Sequence, residues 1–500
     1  MPLGPVAFKV GLASALCGAG AAAQTAVLGK LVAGRVRTAL AARDDDRDDA
    51  QGERLDATLG AAAGVLTGLS YALAFQSVRP EVYALSTLLV MSAAVELSRF
   101  DATGDRRRLY LGALWAGLAL SNHHLLALAL LVPGLALAVA RRPQKPVAQA
   151  IARVGVAGTL GLGLFAYLPL RALHHPLVDW GAPLTWSRVY WTVSAQAFQK
   201  AVARGSTGDV PGVVAALAAQ LHPIGALLGV AGVYLLLRTP RLRRWGAFLV
   251  GVALLDAAMP AMVGFDPANP DAYGYLAASV AMLAVCACAL PAALLVRVRG
   301  RLGARAQLVP AGLCALALLF GALGFPSVSL ASRDDAAPAL SAWLGSTPTR
   351  GLAVTSYFQT VFGVFYLRSV EGQRPDVDLV HRHFLAYPGY RDELVLKTPS
   401  LGPLLGDKDI DPLAVTAHEA LLEYDLDLPQ TLVARSQTVD ARPLPDETQG
   451  RRFAGWQAFL AAHRACRAND RGQMVRTQNE ARAILGDSPE LDELAARCRP

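Results

Sequence analysis

The sequence predicts a mainly α protein: a polytopic transmembrane helical bundle of about ten spans, followed by a C-terminal soluble α/β plus helical domain. Three observations carry this. Only 17% of the 500 residues are charged while 53% are hydrophobic, and soluble domains average about 25% charged. The deficit is confined to residues 1–325, where long Ala/Leu/Val/Gly runs alternate with short Arg clusters; beyond Pro326 the charge is ordinary. A chain this long exceeds one soluble core, and two regions with different solvents fit it better.

A helix needs ~20 apolar residues to cross the hydrocarbon layer. The candidate spans are 10–33, 58–78, 82–97, 109–120, 125–139, 154–170, 213–237, 245–263, 273–295 and 308–325. The two short ones flank Ser121-Asn122-His123-His124, so 109–139 is either one long helix or a tight pair. Basic residues decide it, since they favour the cytoplasmic side. The clusters are Arg35/Arg37/Arg43/Arg47/Arg54, Arg99/Arg106/Arg107/Arg108, Arg141/Arg142/Lys145, Arg238/Arg241/Arg243/Arg244 and Arg297/Arg299/Arg301/Arg305. A hairpin at the His pair puts all five on one side and both termini on the other. The expected domains are a transmembrane bundle over 1–328, a small extracytoplasmic α/β unit over 329–390, and a mixed, then helical, region over 391–500.

The N-terminus has a rival reading. Lys9, an apolar stretch and Ala21-Ala22-Ala23 also resemble a secretory signal. Cleavage there breaks the charge pattern, so the stretch is read as a span. The net charge of +8 does not indicate nucleic acid, because the Arg residues sit between apolar runs without an aromatic platform. Cys17, Cys286, Cys288 and Cys314 lie inside apolar runs, where Cys behaves as a small hydrophobe. Cys466 and Cys498, in the soluble region, pair if that region faces an oxidising compartment and stay reduced if it does not. No metal or cofactor is expected.

Function is sought at the outer ends of the spans, where ionisable groups are costly and face a cavity or a partner. Pro80 separates two spans and leaves Arg79 and Glu81 at the surface, either as a paired interfacial turn or as a carboxylate able to deprotonate a hydroxyl. Asn122, His123 and His124 either cap helix ends or bind phosphate and hydroxyls. Arg171 either clamps a phosphate or snorkels to headgroups. Asp179 and Trp180, with Trp186, Tyr190 and Trp191, lie in a polar loop that suits either an aromatic belt or sugar stacking. Asp271 lies in an Asx/Pro loop that reads first as turns. No P-loop, G-x-G-x-x-G, H-E-x-x-H or G-x-S-x-G is present, which argues against a nucleotide-driven pump or a soluble-type hydrolase.

The blocks F-Q-S-V-R-P-E-V-Y-A-L, G-L-A-L-S-N-H-H-L, Y-L-P-L-R-A followed by D-W-G-A-P-L-T-W, and F-Y-L-R-S-V-E-G-Q-R-P-D-V-D-L-V come in this order. Together they resemble bacterial multispanning membrane proteins related to the animal O-mannosyltransferases that modify plexin-type domains, members of the GT-C glycosyltransferases. The resemblance runs from Pro2 to about residue 380. It implies a GT-C-like fold in a bacterial cytoplasmic membrane, and a polyprenyl-phosphate sugar donor, typically of mannose. The acceptor is a hydroxyl on a protein or glycan at the outer face, and transfer is inverting with a carboxylate base. It implies donor- and substrate-binding roles for Arg79, Tyr83, Asn122, His123, His124, Arg171, Asp179, Trp180 and Asp271. Arg171 is the choice for the donor phosphate. Relatives usually begin with a further span and an acidic outer loop carrying His-Pro-Pro-Gly, which supplies the catalytic Asp. Here Met1–Pro5 resembles the stretch just after that loop, so the expectation is a chain lacking its usual base, with Glu81 as the substitute.

In the soluble end, 351–356 reads as a buried strand, 357–371 as an amphipathic helix and 376–380 as a second strand. The segment 388–442 reads as mixed, and 454–468 as the clearest of the last helices. The rival functions are a transporter or flippase of a lipid-linked glycan and a non-catalytic membrane partner. Polar residues gathered at one face favour interfacial chemistry over passage.

Overall fold

A computed structural model describes residues 4–41, 49–141, 147–176, 179–199, 210–267, 269–330, 336–345, 347, 349, 351–355, 358–402, 405, 420–425, 428–435, 438–441, 458, 462, 465–466, 470–486, 491–492 and 496. The chain forms two compact units. One is Met1–Tyr167 with Phe198–Ser332; the other is Leu168–Ala197 with Arg333–Pro500.

In chain order the first helices are α1 (Val6–Leu40), α2 (Asp49–Gly68), α3 (Tyr71–Ser77), α4 (Val82–Thr103), α5 (Arg106–Arg141), α6 (Val147–Leu162), α7 (Tyr167–Ala172) and α8 (Trp186–Val193). Then come α9 (Val210–Arg238), α10 (Arg243–Val263), α11 (Pro270–Gly274), α12 (Ala277–Ala287), α13 (Ala289–Leu302) and α14 (Leu308–Val328). Among the described residues seven helical stretches are long and apolar enough to cross a membrane, and α2 with α3, bent by 66°, make an eighth.

Two of those seven are hairpins. Helix α5 is broken at His123 (φ −148°, ψ 88°). A straight helix of its 36 residues would be about 54 Å long. Instead Gly112 and Gly134 both lie against the Leu97 side chain, and Gly104, just before the helix, lies against Arg141 at its end. The stretch Ala277–Val328 turns at Gly303, whose φ of 52° suits a glycine. Its two arms meet at α2, where Cys288 and Cys314 Sγ donate to the Leu59 and Thr58 carbonyls at 3.3 and 3.6 Å. Among the described residues these eight stretches, two of them folded double, cover the ten apolar segments read from the sequence.

Within a bilayer, helices gain nothing from burying apolar surface against one another and rely on close backbone approach. Small residues provide it. Gly60 and Gly64 of α2 pack directly on the α1 backbone at Ala26 and Ala22, so a side chain at either position would force the helices apart. The interior is filled by fully buried Leu28, Val32, Met91, Leu249 and Met282.

The bundle has two polar ends. At the basic end Asp101, with 1% of its side chain exposed, is the hub. Arg35 Nη1 and Trp245 Nε1 donate to its Oδ2 at 2.7 Å each, and Arg244 pairs with its Oδ1 at 2.8 Å. The Arg35 guanidinium lies 3.6 Å from the Trp245 ring centre, a cation–π contact. Arg37 binds Asp56 at 3.0 Å, Arg99 and Arg108 bind Glu96, and Gln51 Nε2 donates to the Gly303 carbonyl. Arginines of three of the five basic clusters thus lie at one end, where Arg141 of a fourth lies beside Gly104 and Gly303, between Arg301 and Arg305, meets Gln51.

The second unit contains α15 (Ala336–Gly345), β1 (Leu352–Thr355), α16 (Phe358–Ser369), β2 (Asp378–His381), α17 (Tyr390–Lys397), β3 (Ala420–Asp425), β4 (Leu428–Arg435), β5 (Thr438–Ala441) and α18 (Arg471–Leu485). The sheet order is β2-β1-β3-β4-β5. Strand β1 pairs in parallel with β2 (Leu352 opposite Asp378) and with β3 (Leu352 opposite Ala420), while β3–β4 and β4–β5 are antiparallel. The strand–helix–strand read from 351–380 is present. Strands β3–β5 replace the mixed segment expected there. The expected helix 454–468 lies largely outside the described residues. Cys466 is disulfide-bonded.

Candidate functional site

The end of the bundle opposite Asp101 collects most of the predicted site. Helix α3 stops before Pro80, and the backbone resumes helically only at Val82, with Glu81 extended (φ −116°, ψ 159°) as its N-cap. This turn holds Arg79 between two carboxylates. Nη1 donates to Asp271 Oδ1 at 2.8 Å and Nη2 to Glu81 Oε1 at 3.2 Å. The three side chains of Arg79, Asp271 and Glu81 are 23%, 39% and 33% exposed, so the group is reachable from water. Asp271 is delivered by a loop that Gln76 anchors, its Nε2 donating to the Pro270 carbonyl at 2.9 Å. Asn269 Oδ1 accepts from the Asp271 N–H at 3.0 Å, the Asx turn anticipated there.

Burial, and then the negative charge of Asp271, hold the Glu81 carboxyl above its ordinary range, against the pull of Arg79. A carboxylate of raised proton affinity is the better general base once ionised.

Beside this triad lies an aromatic wall. Tyr83 sits 5.3 Å from Tyr275 and 5.9 Å from His123 between ring centres, and His123 is 5.7 Å from Tyr275. Gly274 is required here, because a side chain would strike the Tyr83 ring. His123 Nδ1 accepts from the Leu126 N–H at 3.5 Å, capping the second arm of α5. Asn122 Nδ2 donates to the Val82 carbonyl at 3.2 Å, tying the hairpin tip to the start of α4. His124 is 6.4 Å from His123, half-buried.

Arg79, Glu81, Tyr83, Asn122, His123, His124 and Asp271 therefore share one end of the first unit. Arg171, Asp179 and Trp180 belong to the second unit. Arg171 is exposed on α7 and makes no hydrogen bond or ion pair among the described residues. Asp179 Oδ2 is buried without a hydrogen-bond partner among them. Burial, reinforced by the charge of Glu393, raises its carboxyl. Trp180 packs edge-on to Phe384 and Tyr387 at 5.0 and 5.1 Å.

Sequence reasoning missed two members of the first group. Gln76 is fully buried with Oε1 unpartnered among the described residues, and it stood in the F-Q-S-V-R-P-E block three residues from Arg79. Tyr275 follows the acidic loop closely enough to share its end of the bundle. Among the described residues no group of three or more His, Cys, Asp or Glu is placed to hold a metal ion.

A bundle of membrane-length apolar helices, with a reachable cation–carboxylate group walled by aromatic rings at one end, defines an integral membrane protein with a polar site at a helix-bundle end. Residues 1–148 match the family described as "Protein O-mannosyl-transferase TMEM260 N-terminal domain". This relates the N-terminal region of the chain to protein O-mannosyltransferases, hence to glycosyltransferases acting between a sugar donor and an acceptor. No curated protein and no solved structure matches the chain.

Proposed function

We propose that the chain is a membrane O-mannosyltransferase-type enzyme of the inverting GT-C kind. It moves mannose from a polyprenyl-phosphate donor to a hydroxyl of a protein or glycan at the extracytoplasmic surface. The observation that carries this is the Arg79–Asp271–Glu81 group, three of whose supporting elements (α3, α4 and the α5 hairpin tip) lie within the family-matched residues. In this reading Glu81 removes the proton from the acceptor hydroxyl as its oxygen attacks the anomeric carbon. The bond from that carbon to the phosphate oxygen breaks, and polyprenyl phosphate leaves, inverting the centre. Tyr83, His123 and Tyr275 form an apolar-polar wall of the kind against which sugar rings pack.

Two guanidiniums compete for the donor phosphate. Arg79 is oriented by its carboxylates, and Arg171 is exposed and unpaired among the described residues. Proteoliposomes carrying radiolabelled polyprenyl-phosphate mannose and a hydroxyl-bearing acceptor test the proposal. Label should reach the acceptor with the native chain and far more slowly with Glu81→Gln. Donor binding lost in Arg79→Ala or in Arg171→Ala identifies the phosphate holder. Label that crosses the bilayer without transfer sinks the enzyme reading in favour of a flippase, and donor binding without transfer or crossing favours a non-catalytic partner.

A further inference from the structure

Helix α8 lies in the second unit and presents its two faces to different surroundings. Its inner face packs on the segment around α17. Trp191 meets Tyr387 at 5.3 Å between ring centres, Thr192 Oγ1 lies 3.3 Å from the Trp180 carbonyl, and Arg188 pairs with Asp392 at 3.6 Å. The other face carries Trp186, 89% exposed, and Tyr190, 65% exposed, one turn apart, with Leu184 just before the helix at 39%. Large aromatic side chains are seldom left so bare in water.

The same short helix α17 ties α8 to the end of a membrane span. Asp392 holds Arg188, while its neighbour Glu393 accepts from His175 Nδ1 at 3.0 Å and Lys397 Nζ donates to the Pro176 carbonyl at 2.7 Å. His175 and Pro176 closely follow α7, which ends the apolar stretch Ala148–Ala172 and around whose end Leu170 and Leu173 are exposed at 61% and 63%. Adjacent carboxylates on α17 therefore set α8 beside the point where the chain leaves the bilayer. Trp and Tyr are the residues that settle at headgroup level, where a ring meets hydrocarbon and its N–H or O–H meets water.

We infer that α8 is an interfacial helix: it lies in the membrane surface, inserts Trp186 and Tyr190 at the headgroup–acyl boundary, and seats the second unit on the bilayer. The partner of this surface is the lipid bilayer itself, and the inference is independent of the transfer chemistry. Helices of this sort sink their apolar face about 5–10 Å below the headgroups.

Tryptophan fluorescence of the full chain in liposomes tests it, with bromine placed either near the headgroup end or near the terminus of the acyl chains. The difference between the native chain and Trp186→Phe isolates Trp186. That component should be quenched by roughly half or more by shallow bromine, less by deep bromine, and shielded from aqueous iodide. Tyr190→Trp in the Trp186→Phe background moves the reporter one turn along the same face and should behave alike. A Trp186 component untouched by either bromolipid and open to iodide overturns the inference. So does shielding from iodide that appears only on adding mannose oligosaccharides, which would make α8 a saccharide platform.

Discussion

The two polar ends of the bundle use the same chemistry to opposite effect. At the basic end Asp101 is 1% exposed and is shared by Arg35, Arg244 and Trp245. At the other end Arg79 is shared by Asp271 and Glu81, and both carboxylates are about a third or more exposed. A buried carboxylate with every partner in place is a lock, since removing both of its cations would leave its charge stranded in low dielectric. An exposed one exchanges partners with water cheaply, and so with a ligand. Burial, rather than the residue types, separates the two ends.

Four predictions bear on this contrast. Asp101→Ala should do most damage to folding, stranding two guanidiniums and an indole N–H, at a cost of about 3–5 kcal/mol. Thermal unfolding in detergent should show it, and an unchanged midpoint would mean the lock is ornamental. Arg79→Ala should leave that midpoint nearly unmoved but lower transfer by about 100-fold or more, if the guanidinium faces charge developing on the donor phosphate. Matching losses of stability and activity would instead make the two ends alike.

Glu81→Gln sharpens the comparison through pH. The folded-state affinity of Glu81 for its proton is raised, so the native chain should gain activity as pH climbs through that raised value. The stability sign is opposite. A raised carboxyl favours folding fully below its unfolded pKa, and that contribution is lost as pH rises through the folded one. Glu81→Gln should therefore abolish the acidic limb of the rate profile, and above the carboxylate range make the protein slightly more stable. A profile unchanged in shape excludes Glu81 as the base. The smallest effect belongs to the second unit. His175→Ala removes a pair whose histidine is 47% exposed, and should move its unfolding by less than about 1 kcal/mol.

Much of the bundle was legible because it follows from one-dimensional rules. The hairpin at Ser121-Asn122-His123-His124 is visible in the sequence, since only a reversal there gathers the arginines. Pairings across the sequence were not. Arg35 finds Asp101 66 positions away, and Arg79 finds Asp271 192 positions away. In each case several equally suitable carboxylates were on offer, and only packing selects. Asp256 was overlooked for the converse reason. Alone in an apolar span, it is buried and accepts from the Ser279 N–H and hydroxyl at 2.7 Å each, a partner on another helix. Strands β3–β5 went unread because Pro429 and scattered Asp residues look like loop, whereas pairing with β1 makes the first of them strand.

The second unit is assembled from two pieces of chain that are far apart, Leu168–Ala197 and the residues from Arg333 on. During synthesis the first piece emerges early, with the Glu393, Lys397 and Asp392 that hold His175, Pro176 and Arg188 not yet made. Everything from Phe198 to Ser332 has to be threaded before they arrive. A helix that can rest on the membrane surface through Trp186 and Tyr190 has somewhere to wait, and the exposed face that seats the finished unit also shelters the unfinished one.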